Sequence, residues 1–219
     1  MSGICITAFK WVPPRAQGLV KDLRVRWALE EAGLPYAEKL LGLGEHKAPA
    51  HRAVQPFGQV PVYEERGLTL FETGAILIHI GEKSENLLPR DPAKRARALT
   101  WMFAALNSVE PDVQNLTSID LFFPDEDWAK QRRPAAEQNA LGRLHAVAAS
   151  LNGRDYLEGE FTAGDLLMIS VLRLLRHTSI VKNIPVLAEY QARGEARPAF
   201  KRALAAQLAH FEKNAPMAA

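Results

Sequence analysis

Residues 60–80 constrain the fold of this chain more than any other stretch. VPVYE (60–64) and LTLF (68–71) are short runs of β-forming residues on either side of Glu65-Arg66-Gly67. That spacing predicts a hairpin, with Gly67 free to take positive φ. The second strand stops at Glu72-Thr73, where a helical run to about residue 82 begins. In that run Ile76, Leu77 and Ile80 can face a sheet.

The chain ahead of the hairpin supplies the rest of a small domain. GICITAF (3–9) reads as a strand, since Ile4, Ile6 and Thr7 are β-branched. KWVPPRAQG follows, where Pro13-Pro14 and Gly18 deny regular structure. A helix is expected over 19–32, with Leu23 and Trp27 on one face. Gly33 sits at its C′ position and Pro35 stops it. YAEKLL (36–41) is a second strand, parallel to the first if the crossover is right-handed. The order β-α-β then β-β-α predicts a compact α+β domain. Residues 42–58 between its halves lack periodicity but carry Glu45, His46, Lys47, His51, Arg52 and Gln55.

From Asn86 onward no strand is expected. Asp91 is a candidate N-cap with Pro92 at the first helical position. A long helix should run over 92–120, with Leu99, Leu106 and Val113 in one stripe and Met102, Val109 and Leu116 in another. Pro111 should kink it. A second helix is expected over 128–152. FTAGDLLMISVLRLL (161–175) opens with Thr162 and Asp165 in capping-box positions and is apolar nearly all round, so it should lie at the centre of a bundle. Helices near 185–193 and 198–213 and a frayed 214–219 tail complete the chain. The expected organisation is an α+β domain over 1–84, a linker over 85–91, and an all-α helical-bundle domain over 92–219.

Charge and composition narrow the function. The 27 basic and 25 acidic side chains leave a formal net charge of +2. That balance argues against nucleic acid or an anionic membrane as a partner. No apolar run reaches the roughly 18 residues of a membrane helix. The N-terminus lacks a basic segment followed by a long apolar one, so no signal peptide is expected. One cysteine, Cys5, excludes an intrachain disulfide framework and suits a cytoplasmic location. Flanked by two isoleucines and without a CxxC partner, it reads as a small buried hydrophobe. The histidines lack metal-ligand spacing, so no metal is expected.

Three features could form a small-molecule site. Val60-Pro61 is either an ordinary trans edge proline or, if cis, a place where the preceding backbone is free to pair with a peptide-like ligand. Glu72-Thr73 is either a plain helix cap or a site for an α-amino acid group. In the latter reading the helix N-terminus and Thr73 hydroxyl hold a carboxylate and Glu72 an ammonium. His46 and Lys47 are either solvated loop charges or the binding site for a second carboxylate.

These segments together resemble the soluble glutathione transferases, in particular the phi-like and related bacterial branches. The resemblance rests on LRVRWALEEAGLPY (23–36), GEHKAP (44–49), QPFGQVP (55–61), LFET (70–73), FTAGD (161–165) and RPAFKRALA (197–205). It implies a thioredoxin-like N-terminal domain, an all-helical C-terminal domain, a homodimer and a cis Val60-Pro61 bond. It further implies glutathione as co-substrate. His46 and Lys47 would bind its glycyl carboxylate, Gln59 and the Val60 backbone its middle, and Glu72 and Thr73 its γ-glutamyl end. The implied activity is presentation of the glutathione thiolate to a small electrophile held by the helical domain.

In one place the sequence departs from the family pattern. The family carries a Tyr, Ser or Cys just after the first strand, aimed at the glutathione sulfur. From Ala8 to Asp22 this chain has none, nor a Thr, and counting back from Val25 puts Leu19 or Val20 at that position. No catalytic residue is therefore named. Main-chain N–H groups, the dipole of the first helix, or Lys10, Arg15 or Lys21 would have to hold the thiolate. The departure leaves two other readings open: a glutathione- or hydrophobic-ligand-binding protein without turnover, and a glutathione-dependent peroxide or disulfide reductase.

Overall fold

The computed structural model describes residues 3–216; of the tail expected to fray, 217–219 lie outside the described residues. The chain folds into two compact units, Met1–Leu87 with Arg197–Ala219, and Leu88–Ala196. The sequence reading assigns 92–219 to one helical domain, whereas the last helix packs with the strand-bearing unit.

The first unit is built on a four-stranded sheet of order β2-β1-β3-β4. Its strands are β1 Ile4–Phe9, β2 Ala37–Leu41, β3 Tyr63–Glu65 and β4 Leu68–Leu70. β1 and β2 run parallel, as the crossover argument requires, and β1/β3 and β3/β4 are antiparallel. β3 is shorter than expected, because Pro61 cannot donate to a ladder and regular pairing starts only at Tyr63. Ile4, Ile6 and Ala8 of β1 are buried.

Helix α1, Asp22–Ala32, starts three residues later than expected. It is buried along Asp22–Leu29 because it lies against both α3, Thr73–Gly81, and α9, Pro198–Lys213. Trp27 stacks edge-on against Phe200 of α9 at 4.8 Å. Two arginines bind α9 to α1 from outside: Arg197 grips Glu31 through two bonds of 2.6 and 2.8 Å, and Arg202 reaches Glu30 at 2.6 Å. Residues 42–58 are not wholly irregular. They hold a 3₁₀ turn, Glu45–Lys47, and the one-turn helix α2, Pro49–Arg52.

The second unit is helical. The expected long helix is three pieces: α4 Pro92–Phe103, a π-helical turn Ala104–Val109, and α5 Glu110–Phe122. Pro111 has no N–H and would press its ring on the carbonyl four residues back; the wide π turn ahead of it accommodates both. α6 spans Asp127–Leu151, α7 Ala163–Leu172 and α8 Pro185–Glu195. Apart from Ser170, every residue of α7 is buried, which is the central position its apolar circumference predicts. No helix among the described residues is long and apolar enough to cross a membrane.

Candidate functional site

The site grows from the link between β1 and the segment entering β3. The Thr7 N–H donates to Val62 O at 2.9 Å, and the Val62 N–H donates to the Thr7 hydroxyl at 2.6 Å. Just upstream the Val60-Pro61 bond is cis. Val60 is only 8% exposed, yet its main-chain N–H and C=O have no hydrogen-bond partner among the described residues. Buried backbone groups are rarely left so. His51, itself buried, props this segment: its Nε2 donates to the Gln59 carbonyl at 2.7 Å. The Gln59 side chain is exposed.

Gly58 joins this segment to the polar one. Its φ is +62°, and a Cβ there would lie 3.0 Å from the His46 carbonyl oxygen. Only a glycine lets the two backbones cross so closely. His46 sits on the 3₁₀ turn, its ring edge-on to Phe9 at 5.0 Å. Its Nδ1 accepts from the Gly44 N–H at 3.3 Å, so the neutral ring carries its hydrogen on Nε2. Burial first, and then the neighbouring Lys47, His51 and Arg52, lower its pKa. The neutral form is thus favoured, leaving the Nε2–H as a donor, with the exposed cations Lys47 and Arg52 close by in the chain.

The third component is the start of α3. Phe57 and Phe71 face each other at 6.1 Å, which ties this end of the hairpin to the Gly58 crossing. Glu72 is the N-cap residue and has φ +68° and ψ +118°, a conformation that side-chain-bearing residues rarely adopt. No side chain caps the helix. The N–H groups of Thr73, Gly74 and Ala75 precede the first helical bond, from Ile76 N–H to Glu72 O at 3.0 Å. Thr73 is buried, and its hydroxyl has no hydrogen-bond partner among the described residues. The plain-cap alternative is thus not what forms here.

The structure brings His46, Lys47, Gln59, Val60, Glu72 and Thr73 onto one connected edge of the first unit. Sequence reasoning missed His51 as a prop and the backbone of Glu72. The polar run 42–58 flagged the first, but nothing in a glutamate signals positive φ.

The loop from Phe9 to Asp22 borders the same edge. The Lys10 N–H extends the β1/β2 pairing by donating to Leu41 O at 2.8 Å, and a 3₁₀ turn, Pro14–Ala16, follows. Gln17 donates to Val12 O at 3.1 Å. Leu19 and Val20, at the position where the family pattern has a hydroxyl, are half-buried in the turn before α1. The Thr7 hydroxyl is occupied by Val62. Burial, and after it the charge of Glu64, pushes the Cys5 thiol up, which makes it a poor nucleophile. Among the described residues no three His, Cys, Asp or Glu side chains gather as metal ligands.

Comparison with known proteins places the fold in a family. The family model for the glutathione S-transferase N-terminal domain matches residues 16–82, beginning past β1 and the double proline. A glutathione S-transferase of Hyoscyamus muticus is 32% identical over 171 residues, which span 74% of this chain and 81% of that one. Among solved structures, glutathione transferase F7 of Populus trichocarpa superposes with a TM-score of 0.81 at 25% identity, over 94% of this chain and 99% of that one. The theta class enzyme of Xanthomonas axonopodis pv. citri, solved with glutathione bound, gives 0.80 at 27% identity over 93% and 98%. With a curated relative above 30% identity matched over four-fifths of its length, and with the fold shared throughout, this chain belongs to the glutathione S-transferase family.

Proposed function

We propose that the protein binds glutathione along the His46–Val60–Glu72 edge and joins its sulfur to a small electrophile, forming a glutathione conjugate. The observation that carries this reading is Val60, a buried residue whose main-chain donor and acceptor have no partner among the described residues. A peptide laid across Val60 completes both bonds, as an added strand would. Glutathione has a carboxylate beyond each end of such a peptide. The neutral N–H of His46 and the Lys47 ammonium suit the glycyl carboxylate. The open N–H groups of α3 and the Thr73 hydroxyl suit the γ-glutamyl carboxylate. Glu72 pairs with the adjacent ammonium, and the Gln59 amide reaches the middle of the ligand.

In this arrangement the glutathione thiol gives its proton to solvent. The thiolate then attacks the electrophilic carbon, forming a thioether and releasing the leaving group with its electron pair. With Leu19 and Val20 in place of a hydroxyl, the thiolate is held by the main-chain N–H groups and dipole at the start of α1, aided by the cations of the loop. The protein acts as a cytoplasmic homodimer and needs no metal. The test is retention on immobilised glutathione. Wild type should be retained and Glu72→Ala/Thr73→Ala should pass through; equal retention of both would sink the site.

The half-buried Leu19 and Val20 favour a second reading, in which glutathione is bound but not turned over. Steady-state conjugation of a chloronitrobenzene well above the uncatalysed rate would exclude it.

A further inference from the structure

We propose that Gln207, on the C-terminal helix α9, is a positioning residue for the glutathione thiolate; the proposal rests on the glutathione reading above. Gln207 is 1% exposed. Its amide nitrogen donates to the Asp22 carboxylate at 2.7 Å and to the Val20 carbonyl at 3.3 Å. Both acceptors lie in the turn that opens α1. The Leu23 N–H donates to Val20 O at 3.0 Å and the Arg24 N–H to Lys21 O at 3.2 Å, so the helical pattern extends back to Val20. The N–H groups heading this turn form the electropositive end of α1. A trans peptide points its C=O and N–H in opposite directions. Holding the Val20 carbonyl towards α9 therefore sets the direction in which the following N–H points.

Two observations separate this role from simple helix docking. First, α9 is already fixed to α1 by Arg197 on Glu31, Arg202 on Glu30 and Phe200 on Trp27. Of these contacts, none reaches the turn before α1. Second, the Gln207 carbonyl oxygen is buried without a hydrogen-bond partner. An apolar side chain of the same size would fill that space with no orphaned acceptor. The amide is explained by what its nitrogen holds.

The charges around the pair are also accounted for. Asp22 is buried, and burial raises its pKa against the lowering effect of Arg26 and Gln207. Arg26 donates to Asp22 at 2.7 Å and also binds Glu38 of β2, which His210 of α9 contacts from its other side. Gln207 thus keeps a buried carboxylate bonded and turned inward at the very end of the helix that would hold a thiolate. In a family whose usual hydroxyl is absent here, main-chain geometry has to be set by something else. Gln207 sets it from a helix nearly two hundred residues further along the chain.

The test titrates the thiolate of glutathione bound to the full-length protein, read by its ultraviolet absorbance against pH. This readout does not require turnover. Gln207→Met removes the donors at nearly constant shape. The thiolate midpoint should rise by about one pH unit, as expected when an ordered charge-assisted hydrogen bond is lost. Below the midpoint, where the bound thiol is protonated in both proteins, glutathione affinity should stay within about twofold, because the His46, Val60 and Thr73 contacts are untouched; above it, affinity should fall by up to about tenfold, as linkage to the shifted midpoint requires. Where conjugation is measured, the rate deficit should shrink as pH rises. Arg202→Ala weakens docking of α9 without touching the turn and should leave the midpoint unmoved. Gln207→Asn, its donors one methylene short, should shift the midpoint in the same direction as Gln207→Met. A Gln207→Met midpoint equal to wild type would overturn the proposal, as would an equal shift in Arg202→Ala. If wild type is not retained on glutathione, the function itself fails, and that is seen before any Gln207 variant is made.

Discussion

The N-termini of α7 and α3 face the same backbone problem and solve it in opposite ways. Each helix begins with N–H groups that have no partner inside the helix. At α7 a capping box closes them off. The Thr162 hydroxyl accepts from the Gly164 N–H at 3.2 Å, and the Asp165 carboxylate accepts from the Thr162 N–H at 2.9 Å. The same carboxylate holds the Leu157 N–H and the Tyr190 hydroxyl, each at 2.9 Å. At α3 there is no side-chain cap, the N-cap glutamate is held at φ +68°, and the Thr73 hydroxyl has no partner among the described residues. A buried helix start needs closure for stability. On the proposed glutathione edge, a helix start left open would serve the ligand instead, with the strained conformation of Glu72 maintained by the structure around it.

The largest expected effect lies at the closed end. Asp165→Ala leaves four buried donors, the Leu157 N–H, the Tyr190 hydroxyl and both the N–H and the hydroxyl of Thr162, without their acceptor. At about 1–3 kcal/mol for each orphaned buried donor, stability should fall by about 3 kcal/mol or more. The measurement is the urea midpoint at constant m value. A loss below about 1 kcal/mol would break the contrast, since it would mean that the capping network is not what holds α7.

How far each end was legible in the sequence follows from the same contrast. The capping box at α7 is local: Thr162 and Asp165 stand three apart before an apolar run, so pattern alone identifies it. The strand–helix–strand and the hairpin are legible for the same reason. The roles of His46, Lys47, Gln59, Val60, Glu72 and Thr73 came from resemblance, because from the residues alone each had an ordinary alternative. What stayed hidden is non-local or conformational. No residue type announces the positive φ of Glu72. Pro111 signals a kink but not the π turn that absorbs it. Nothing in RPAFKRALA says that α9 returns to the first unit and places Gln207 on Val20.

A smaller effect, of opposite sign, is expected at the open end. Glu72→Gly removes the penalty of positive φ, of the order of 1–3 kcal/mol, against an unfolded-state cost for glycine of roughly 0.5–1 kcal/mol. The variant should be more stable by about 1 kcal/mol, a rise of about 2–4 °C in Tm for a chain of this size. It should also be retained less well on immobilised glutathione. Gain in stability with loss of binding is the signature of a site that carries strain for function. A variant that loses stability would show that Glu72 is held by contacts rather than against them.

The smallest effect concerns what anchors α3 while its first turn stays open. Glu65 of β3 accepts from the Tyr63 hydroxyl and from His79 Nε2, each at 2.9 Å, and also binds Lys83. His79 is in the last turn of α3 and Lys83 just beyond it, so the helix is fastened at its C-terminal end, where positive charge suits the dipole. These bonds hold the Glu65 carboxyl down to about 2, from an ordinary 4.5. Between those values the folded protein binds fewer protons here than the unfolded chain does. The contribution is therefore complete above about pH 4.5 and is lost as pH falls towards 2. His79 and Lys83 are partly exposed, at 28% and 31%, and solvent screening keeps the stabilisation to about 1 kcal/mol. Glu65→Gln should lower stability by that amount at pH 6, and the difference should shrink steadily as pH falls from about 4.5 towards 2. Other acids, including Asp22 and Asp165, titrate alike in both proteins and cancel in the difference. A constant difference from pH 6 to pH 2.5 would mean that packing around Glu65, not its charge, fastens α3. The open N-terminus would then have to be held from some other side.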